Sequence, residues 1–599
     1  MCGIAGYLSC PAKNDRVGTN NQMASLRKAL AHRGPDDSGL WRSPSGAAHL
    51  MHTRLAILDL SQSGNQPMHT RDGRFTITFN GEIYNYKELR QELAAAEASF
   101  SSESDTEVLL HLYQRHGPGM VERLRGMFAF CIWDELEQCA FLARDPMGIK
   151  PLYYSLATDG SLVFASELKA LRRSGLVSDQ LNGGALVAYF ETGSVPEPWT
   201  LLQNVFQMEA GCWMLWREGR LKQHAYWQLQ FGGDEIEGEE AVHSIRTALL
   251  DSVRHHFVSD VPVGIFLSGG IDSTALLALS QAAGFSGIKT FSIGVDDQAL
   301  DESGVARETA RHFGSEHHEM QLSGSTAEQS FAEFLHCGDQ PSIDGFNTYT
   351  VSRFARHCGM KVVLSGLGGG EMFGGYPSFS AVPKLARFSR MAGYAPPVAG
   401  LLGDLLERFG KTARVRRLGT MFGRPPGIQS AYRAFRSTFS LESARTLTQR
   451  YVTELPEEAP DYDPGMRNSP GNDLDQVSKL EISRYMRNQL LKDSDMMSMA
   501  HGLELRVPYV DRVLFETVAR VPAAQRLRPG KEMLLDAVPE VPANIAQARK
   551  RGFVFPFEMW LQASWGNEFE NATRKIPDAN PTWYQRWSVF VLERWLENK

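Results

Sequence analysis

The residues most able to do chemistry begin at the second position. Cys2 is followed by Gly3, Ala5 and Gly6, small residues that leave room around a thiol. With Met1 removed, a free α-amine of pKa near ~7.7–8.0 would sit beside that thiol and act as its general base. Attack of the thiolate on an amide carbonyl would give an acyl-thiol intermediate. Asn80-Gly81-Glu82 follows the alternating stretch 75–79. An Asn amide and a Gly N–H at a strand end can form an oxyanion hole, although Asn-Gly is equally a plain turn. Glu82 and Asp105 supply anions for the amine of an amino-acid substrate, and Arg54 suits its carboxylate through two parallel hydrogen bonds. Taken singly, each has a bland alternative: Cys2 alone reads as a buried structural cysteine.

A second group is Ser268-Gly269-Gly270-Ile271-Asp272-Ser273, between an apolar run and a helical pattern. Two glycines let backbone N–H groups converge on a phosphate, and a helix N-terminus adds its dipole. Ser268 and Ser273 offer hydroxyl donors. Asp272 would repel phosphate unless Mg²⁺ stood between them, so it reads as a metal ligand. The Gly-Lys-Ser/Thr of a P-loop is absent from this segment. The pairs His317-His318 and His255-His256 lack Cys or His partners at ligand spacing and read as structural. Met496, Met497 and Met499 read as helix core.

The elements that must position these groups change character along the chain. Residues 75–79, 127–133, 140–143, 152–157 and 162–165 read as short strands, the last two flanking a hairpin signal at Thr158-Asp159-Gly160. Asp105 reads as the cap of a helix with an apolar face of Val108, Leu109, Leu112 and Tyr113, ended by Gly117. This half is expected to be a layered α/β sandwich of antiparallel sheets. A glycine-rich, acidic stretch at 231–240 marks a linker. The expected division is 2–215, a linker over 216–240, and 241–599. Beyond the linker, apolar strands at 261–267, 289–295 and 360–364 alternate with helices, which predicts a mostly parallel sheet. The last 120 or so residues read as helical.

The chain has 599 residues, 62 basic and 69 acidic, for a net charge of −7. Mild acidity argues against a nucleic-acid binder that works by bulk charge. Seven cysteines, sparse and odd in number, predict free thiols in a reducing compartment. No apolar run is long enough to span a bilayer and no secretory signal opens the chain, so a cytoplasmic protein without membrane partners is expected. A homodimer is the assembly considered; the sequence does not decide it.

Motifs in order carry a resemblance. They are Cys2-Gly3-Ile4-Ala5-Gly6, His32-Arg33-Gly34-Pro35-Asp36, Arg54-Leu55-Ala56-Ile57, Gln66-Pro67-Met68, Asn80-Gly81-Glu82-Ile83-Tyr84-Asn85-Tyr86, Ser104-Asp105-Thr106-Glu107 and Arg144-Asp145-Pro146-Met147-Gly148-Ile149-Lys150-Pro151. This half resembles the glutaminase of the glutamine-hydrolysing asparagine synthetases, an N-terminal-nucleophile αββα fold. The second half resembles their ATP-pyrophosphatase-type ligase through the Ser268–Ser273 loop, Phe291-Ser292-Ile293-Gly294, Asp301-Glu302-Ser303, Ser365-Gly366, Phe373-Gly374-Gly375-Tyr376, His501-Gly502-Leu503-Glu504, Arg506-Val507-Pro508 and Arg551-Gly552-Phe553.

The resemblance implies Cys2 as nucleophile, Asn80 and Gly81 as oxyanion donors, and Arg54, Ile57, Glu82 and Asp105 as glutamine holders. It implies ATP and pyrophosphate contacts at Leu267, Ser268, Gly269, Gly270, Asp272, Ser273, Ile293, Ser365 and Gly366, and Lys531 as the cation at the adenylation transition state. Glutamine, ATP, Mg²⁺ and a carboxylic acid are the expected reactants and cofactor, with aspartate, giving asparagine, as the default acceptor.

Two positions depart from the family pattern Ser-Gly-Glu-Gly-Ala/Ser-Asp-Glu. Leu367 replaces an acid near the reacting adenylate, and Gly370 replaces an acid that helps hold Mg²⁺. Glu371 is the remaining candidate to join Asp272 on the metal. An acid restored at 370 is expected to strengthen adenylation, unless Gly370 holds a positive φ. Ser342-Ile343-Asp344-Gly345-Phe346-Asn347-Thr348-Tyr349 also departs on the acceptor side. Amidation of another carboxylate (a uronic acid, a modified amino acid or a natural-product acid) competes with aspartate. So does a degenerate paralogue that binds without ligating.

Overall fold

The computed structural model describes residues 2–9, 19–297, 301–410, 412–455, 471–548, 557, 560, 565–578 and 580–598. The retention of Met1 and the Arg551-Gly552-Phe553 motif lie outside them.

The first half contains two six-stranded sheets. One runs β10 (Phe206–Gln207), β8 (Tyr153–Leu156), β9 (Leu162–Ala165), β1 (Gly3–Leu8), β3 (Ala48–Arg54), β2 (Asp37–Arg42). The other runs β12 (Arg220–Ala225), β11 (Cys212–Arg217), β7 (Cys139–Arg144), β6 (Gly126–Asp134), β5 (Phe75–Ile83), β4 (Met68–His69). Their pairings are antiparallel. Ile4, Leu50, Phe164, Cys131, Trp133 and Trp216 fill the space between the sheets. Val108, Leu109, Leu112, Leu89 and Leu93 of two helices cover the outside of one sheet, and Met23, Leu26, Leu30 and Leu171 cover the other. The period-two alternation of the strands thus serves two interfaces at once, which gives the expected helix–sheet–sheet–helix sandwich.

The second half is built on one five-stranded sheet. Its order is β15 (Glu316–Leu322), β14 (Lys289–Val295), β13 (Val263–Phe266), β16 (Val362–Leu364), β17 (Glu504–Arg506), with every neighbouring pair parallel. Helices follow, including Ser378–Ala392, Pro396–Phe409 and Ala413–Phe422. The helix Pro396–Phe409 buries Ala399 and Gly403 and leaves Val398, Leu401, Leu405 and Phe409 exposed.

Several local expectations shift. Asn80-Gly81 is not a turn: β5 continues through it to Ile83, with Gly81 opposite Phe128. The helix Asp105–His116 is capped by Ser104, whose side chain accepts from the Thr106 N–H, so Asp105 is its first residue and not its cap. β11 and β12 carry the sandwich on to Ala225, into the stretch expected to be linker. β17 lies within the stretch expected to be helical. Its three residues bury a Glu and an Arg, and no apolar run announces it. The six described cysteines (2, 131, 139, 212, 337 and 358) are free. No described helix is long and apolar enough to cross a membrane.

Candidate functional site

Cys2 is buried just before β1, and its backbone N–H donates to Asn80 Oδ1 at 3.0 Å. Burial pushes the Cys2 thiol above its ordinary range, and the charges of Glu82 and Glu504 push the same way. Such a thiol needs a proton acceptor at the moment of attack, which is the office the sequence gives to the terminal amine. Asn80 Nδ2 is buried with no hydrogen-bond partner. A buried amide donor left open beside a thiol is suited to a developing oxyanion. Gly81 stands at φ +155°, and a Cβ there would lie 2.1 Å from Met127 O, so no side chain fits. The strand delivers both donors because its backbone passes tightly over β6.

Glu82 and Asp105 close the same corner. Asp105 Oδ2 accepts from the Ile83 N–H at 3.0 Å, and burial raises its carboxyl to about 6. Burial, with Glu504 nearby, also raises Glu82, while Arg506 Nη2 lies 3.6 Å from Glu82 Oε2. Arg54 is held by its own loop: its Nη1 donates to Ser61 O and Asn65 Oδ1, and its Nη2 to the carbonyls of Leu58 and Asp59. Ile57 is buried with Leu55 against Val362 of the second sheet.

The nucleotide loop lies at the top of β13. Ser268 and Ser273 share a 2.9 Å hydroxyl contact, and the Gly270 N–H donates to Ser268 Oγ at 3.3 Å. The helix Ile271–Ala282 starts at Gly270 without a side-chain cap, leaving its first N–H groups for an anion. A cavity of about 310 Å³ opens here. Leu267, Ser268, Asp272, Ser273, Ile293, Ser365 and Gly366 line it, as do Leu367 and, at its far end, Asp344, Asn347 and Asp493. Gly269 and Gly270 shape the loop without lining the cavity.

Lys531 Nζ donates to both oxygens of Asp272. Lys531 is buried and sits at φ +61°, a left-handed backbone that a non-glycine residue adopts at a cost. The turn therefore aims this ammonium at the cavity's edge. Glu371 is not gathered with Asp272. It is fully buried, accepts from Tyr376 OH at 2.9 Å, and is raised by burial to about 7. No group of three acids, His or Cys stands together among the described residues, so an Mg²⁺ here would rest on Asp272 and on the phosphates of ATP. His317 bonds Thr290 and Ser292 from the edge strand β15, which is the structural role expected of it.

Gly370 is not a positive-φ position; Gly368 and Gly374 beside it are. A Cβ at 370 would sit 3.0 Å from Tyr376 Cζ, pointing at a ring held by Glu371 and flanked by Tyr485 and Arg436. Gly370→Asp is therefore expected to overpack Tyr376 at a cost of about 1–3 kcal/mol. Calorimetry should show a lower thermal midpoint, and the variant should release pyrophosphate more slowly. A faster release at unchanged midpoint would restore the view that only a charge is missing there.

Glu504 and Arg506 enter the sequence resemblance as motif residues without a role, and the structure places them at the first site. Both are fully buried, and Arg506 Nε donates to Glu504 Oε1 at 2.5 Å. Between them, Leu505 lines the nucleotide cavity. Alternation along β17 thus sends one side chain toward the cavity and two toward Cys2 and Glu82. A charged pair with one apolar residue between, after a helix, was the available signal.

The chain matches the glutamine amidotransferase domain over residues 1–227 and asparagine synthase over residues 244–586. The glutamine-hydrolyzing asparagine synthetase 1 of Bacillus subtilis (strain 168) is 32% identical over 592 residues, spanning 97% of this chain and 90% of that protein. A putative glutamine-hydrolyzing asparagine synthetase of Mycobacterium tuberculosis (strain ATCC 25618 / H37Rv) is 32% identical over 609 residues, spanning 96% and 90%. Amidase chry2 of Gibberella zeae is 28% identical over 612 residues, spanning 94% and 90%. With an amidotransferase sandwich and a parallel-sheet domain in one chain, and full-length likeness of this degree, the chain belongs to the glutamine-hydrolysing asparagine synthetase family of carbon–nitrogen ligases.

Proposed function

We propose that the chain hydrolyses glutamine at Cys2 and uses the ammonia to convert an adenylated carboxylic acid to an amide. The terminal amine takes the thiol proton, and Asn80 Nδ2 and the Gly81 N–H receive the oxyanion of the tetrahedral intermediate. Glu82 and Asp105 hold the substrate's ammonium. In the second centre the acceptor carboxylate attacks the α-phosphorus of ATP, pyrophosphate leaves, and ammonia then displaces AMP. The Ser268–Ser273 loop and the open helix N-terminus cradle the leaving phosphates, and Lys531 offers its charge where negative charge builds. Aspartate is the family's acceptor, and the name of the Gibberella zeae relative allows others.

The observation that carries this reading is the placement of β17, one strand that borders both centres. Ammonia released at Cys2 and carried along this buried strand would be kept from water that would protonate it. Incubation with ATP, a carboxylic acid and glutamine labelled with ¹⁵N in its amide tests the reading. Pyrophosphate and a ¹⁵N-labelled amide are expected even with excess unlabelled ammonium present. Hydrolysis of glutamine with no ATP turnover for any acid would refute the ligase half.

A further inference from the structure

Resting on that ligase reading, we infer that the acceptor is a monocarboxylic acid rich in hydrogen-bond donors, ammonium or sugar-like hydroxyl, and that Asp493 docks those donors. Asp493 lines the same cavity as the nucleotide loop. It is only 3% exposed. Ser342 Oγ donates to its Oδ2 at 2.6 Å, while its Oδ1 is buried with no hydrogen-bond partner. A buried carboxylate oxygen without a donor is expensive, so its place on a cavity wall points to a donor that arrives with the substrate.

Asp344 lines the same end of the cavity. Its loop packs on Asp493: Gly345, at φ +103°, brings its backbone so close that a Cβ would lie 3.4 Å from Asp493 Cβ. Burial raises the carboxyls of both aspartates, and the charge of Asp344 raises Asp493 further, outweighing the Ser342 hydrogen bond and the Lys492 charge that pull it down. Two crowded acids in a shielded wall are relieved by a proton-bearing partner and aggravated by another anion. Asn347 and Ser494, also on the wall, add neutral hydrogen-bonding groups.

Among the described residues lining the cavity there is no Lys, Arg or His. Lys492, whose charge is felt by Asp493, donates to Val195 O at 2.7 Å, and Lys531 donates to Asp272. Among the described lining residues, the second carboxylate of a dicarboxylic acceptor such as aspartate would meet Asp493 and Asp344 and no cation. A monocarboxylate that carries ammonium or hydroxyls has the opposite, matching, character.

The test is pyrophosphate release from ATP with four acids: β-alanine, D-galacturonate, L-aspartate and butyrate. The wild-type chain is expected to use β-alanine or galacturonate better than aspartate or butyrate, the better of the two telling ammonium from hydroxyl. Asp493→Asn should raise KM for the preferred acid about 10- to 100-fold, the range for a lost hydrogen bond to a charged group, with a smaller effect on kcat. Asp493→Glu should recover part of the loss, and a thermal melt shows whether each variant folds. If Asp493→Asn does not fold, the wild-type ranking of the four acids decides. Aspartate as the best acid, or an unchanged KM in folded Asp493→Asn, overturns the inference and leaves the ligase reading standing. Release with none of the four overturns the inference, while the ligase reading falls only if no acid at all supports ATP turnover.

Discussion

Cys2→Ala is expected to lower glutamine hydrolysis by at least about 10⁴-fold, as removal of a covalent nucleophile does when the rest of its site remains. Ammonia-supported amide formation should persist in the same protein. The expectation follows from where the two chemistries sit. Cys2 just before β1, Asn80, Gly81 and Glu82 on β5, and Asp105 at the start of the helix Asp105–His116 belong to the sandwich, whereas Ser268, Asp272 and Lys531 belong to the parallel-sheet domain. β17 borders both. Losing one sulfur removes little packing, so the variant should melt close to wild type. The measurement is glutamate release from glutamine beside pyrophosphate release with ammonium chloride. Equal loss of both activities in a folded variant would mean that Cys2 is structural. Intact mass belongs to the same experiment, because the mechanism requires a free amine on Cys2. Full glutaminase turnover by protein still carrying Met1 would remove the terminal amine from its role.

Lys531→Met should slow pyrophosphate release by about 10²–10³-fold, the usual effect of deleting one donor aimed at developing charge. Glutamine hydrolysis should continue. Lys531 is the cation that reaches the cavity's edge, through Asp272, and its left-handed backbone shows that the turn is shaped to aim it. A rival account is that Lys531 only neutralises Asp272. The double variant Asp272→Asn, Lys531→Met separates the two. If neutralisation is the whole role, removing both charges restores release. If Lys531 acts on the reacting phosphates, the double variant stays as slow as the single one. Recovery of the double variant to wild-type rates would overturn the catalytic assignment.

The sequence by itself determined the class of each half, because both depend on period and order. Alternating strands with turn signals can bury two faces only as a sandwich, and apolar strands separated by helices can pair only in parallel. The proposed nucleophile Cys2 and the proposed phosphate loop Ser268–Ser273 come from the order of motifs that carries the family resemblance, each residue alone having a bland reading. What is not local was invisible in the sequence. Asn80-Gly81 looks like a turn until β6 is laid beside it. Only then does the backbone run straight, leave no space for a Cβ at Gly81, and leave the Asn80 amide open. Gly370 looks like a missing charge until Tyr376 is seen against it. That the turn at 58–65 closes on the Arg54 guanidinium is likewise invisible in the sequence. β17 is three residues long, too short for any pattern, and it exists because β16 offers an open edge. Asp493 belongs to the acceptor wall only because its helix, far along the chain, packs beside the loop at 342–347. In each case the deciding partner is supplied by another part of the chain. Burial and pairing, which set what a polar side chain can do, are properties of that encounter and not of the residue.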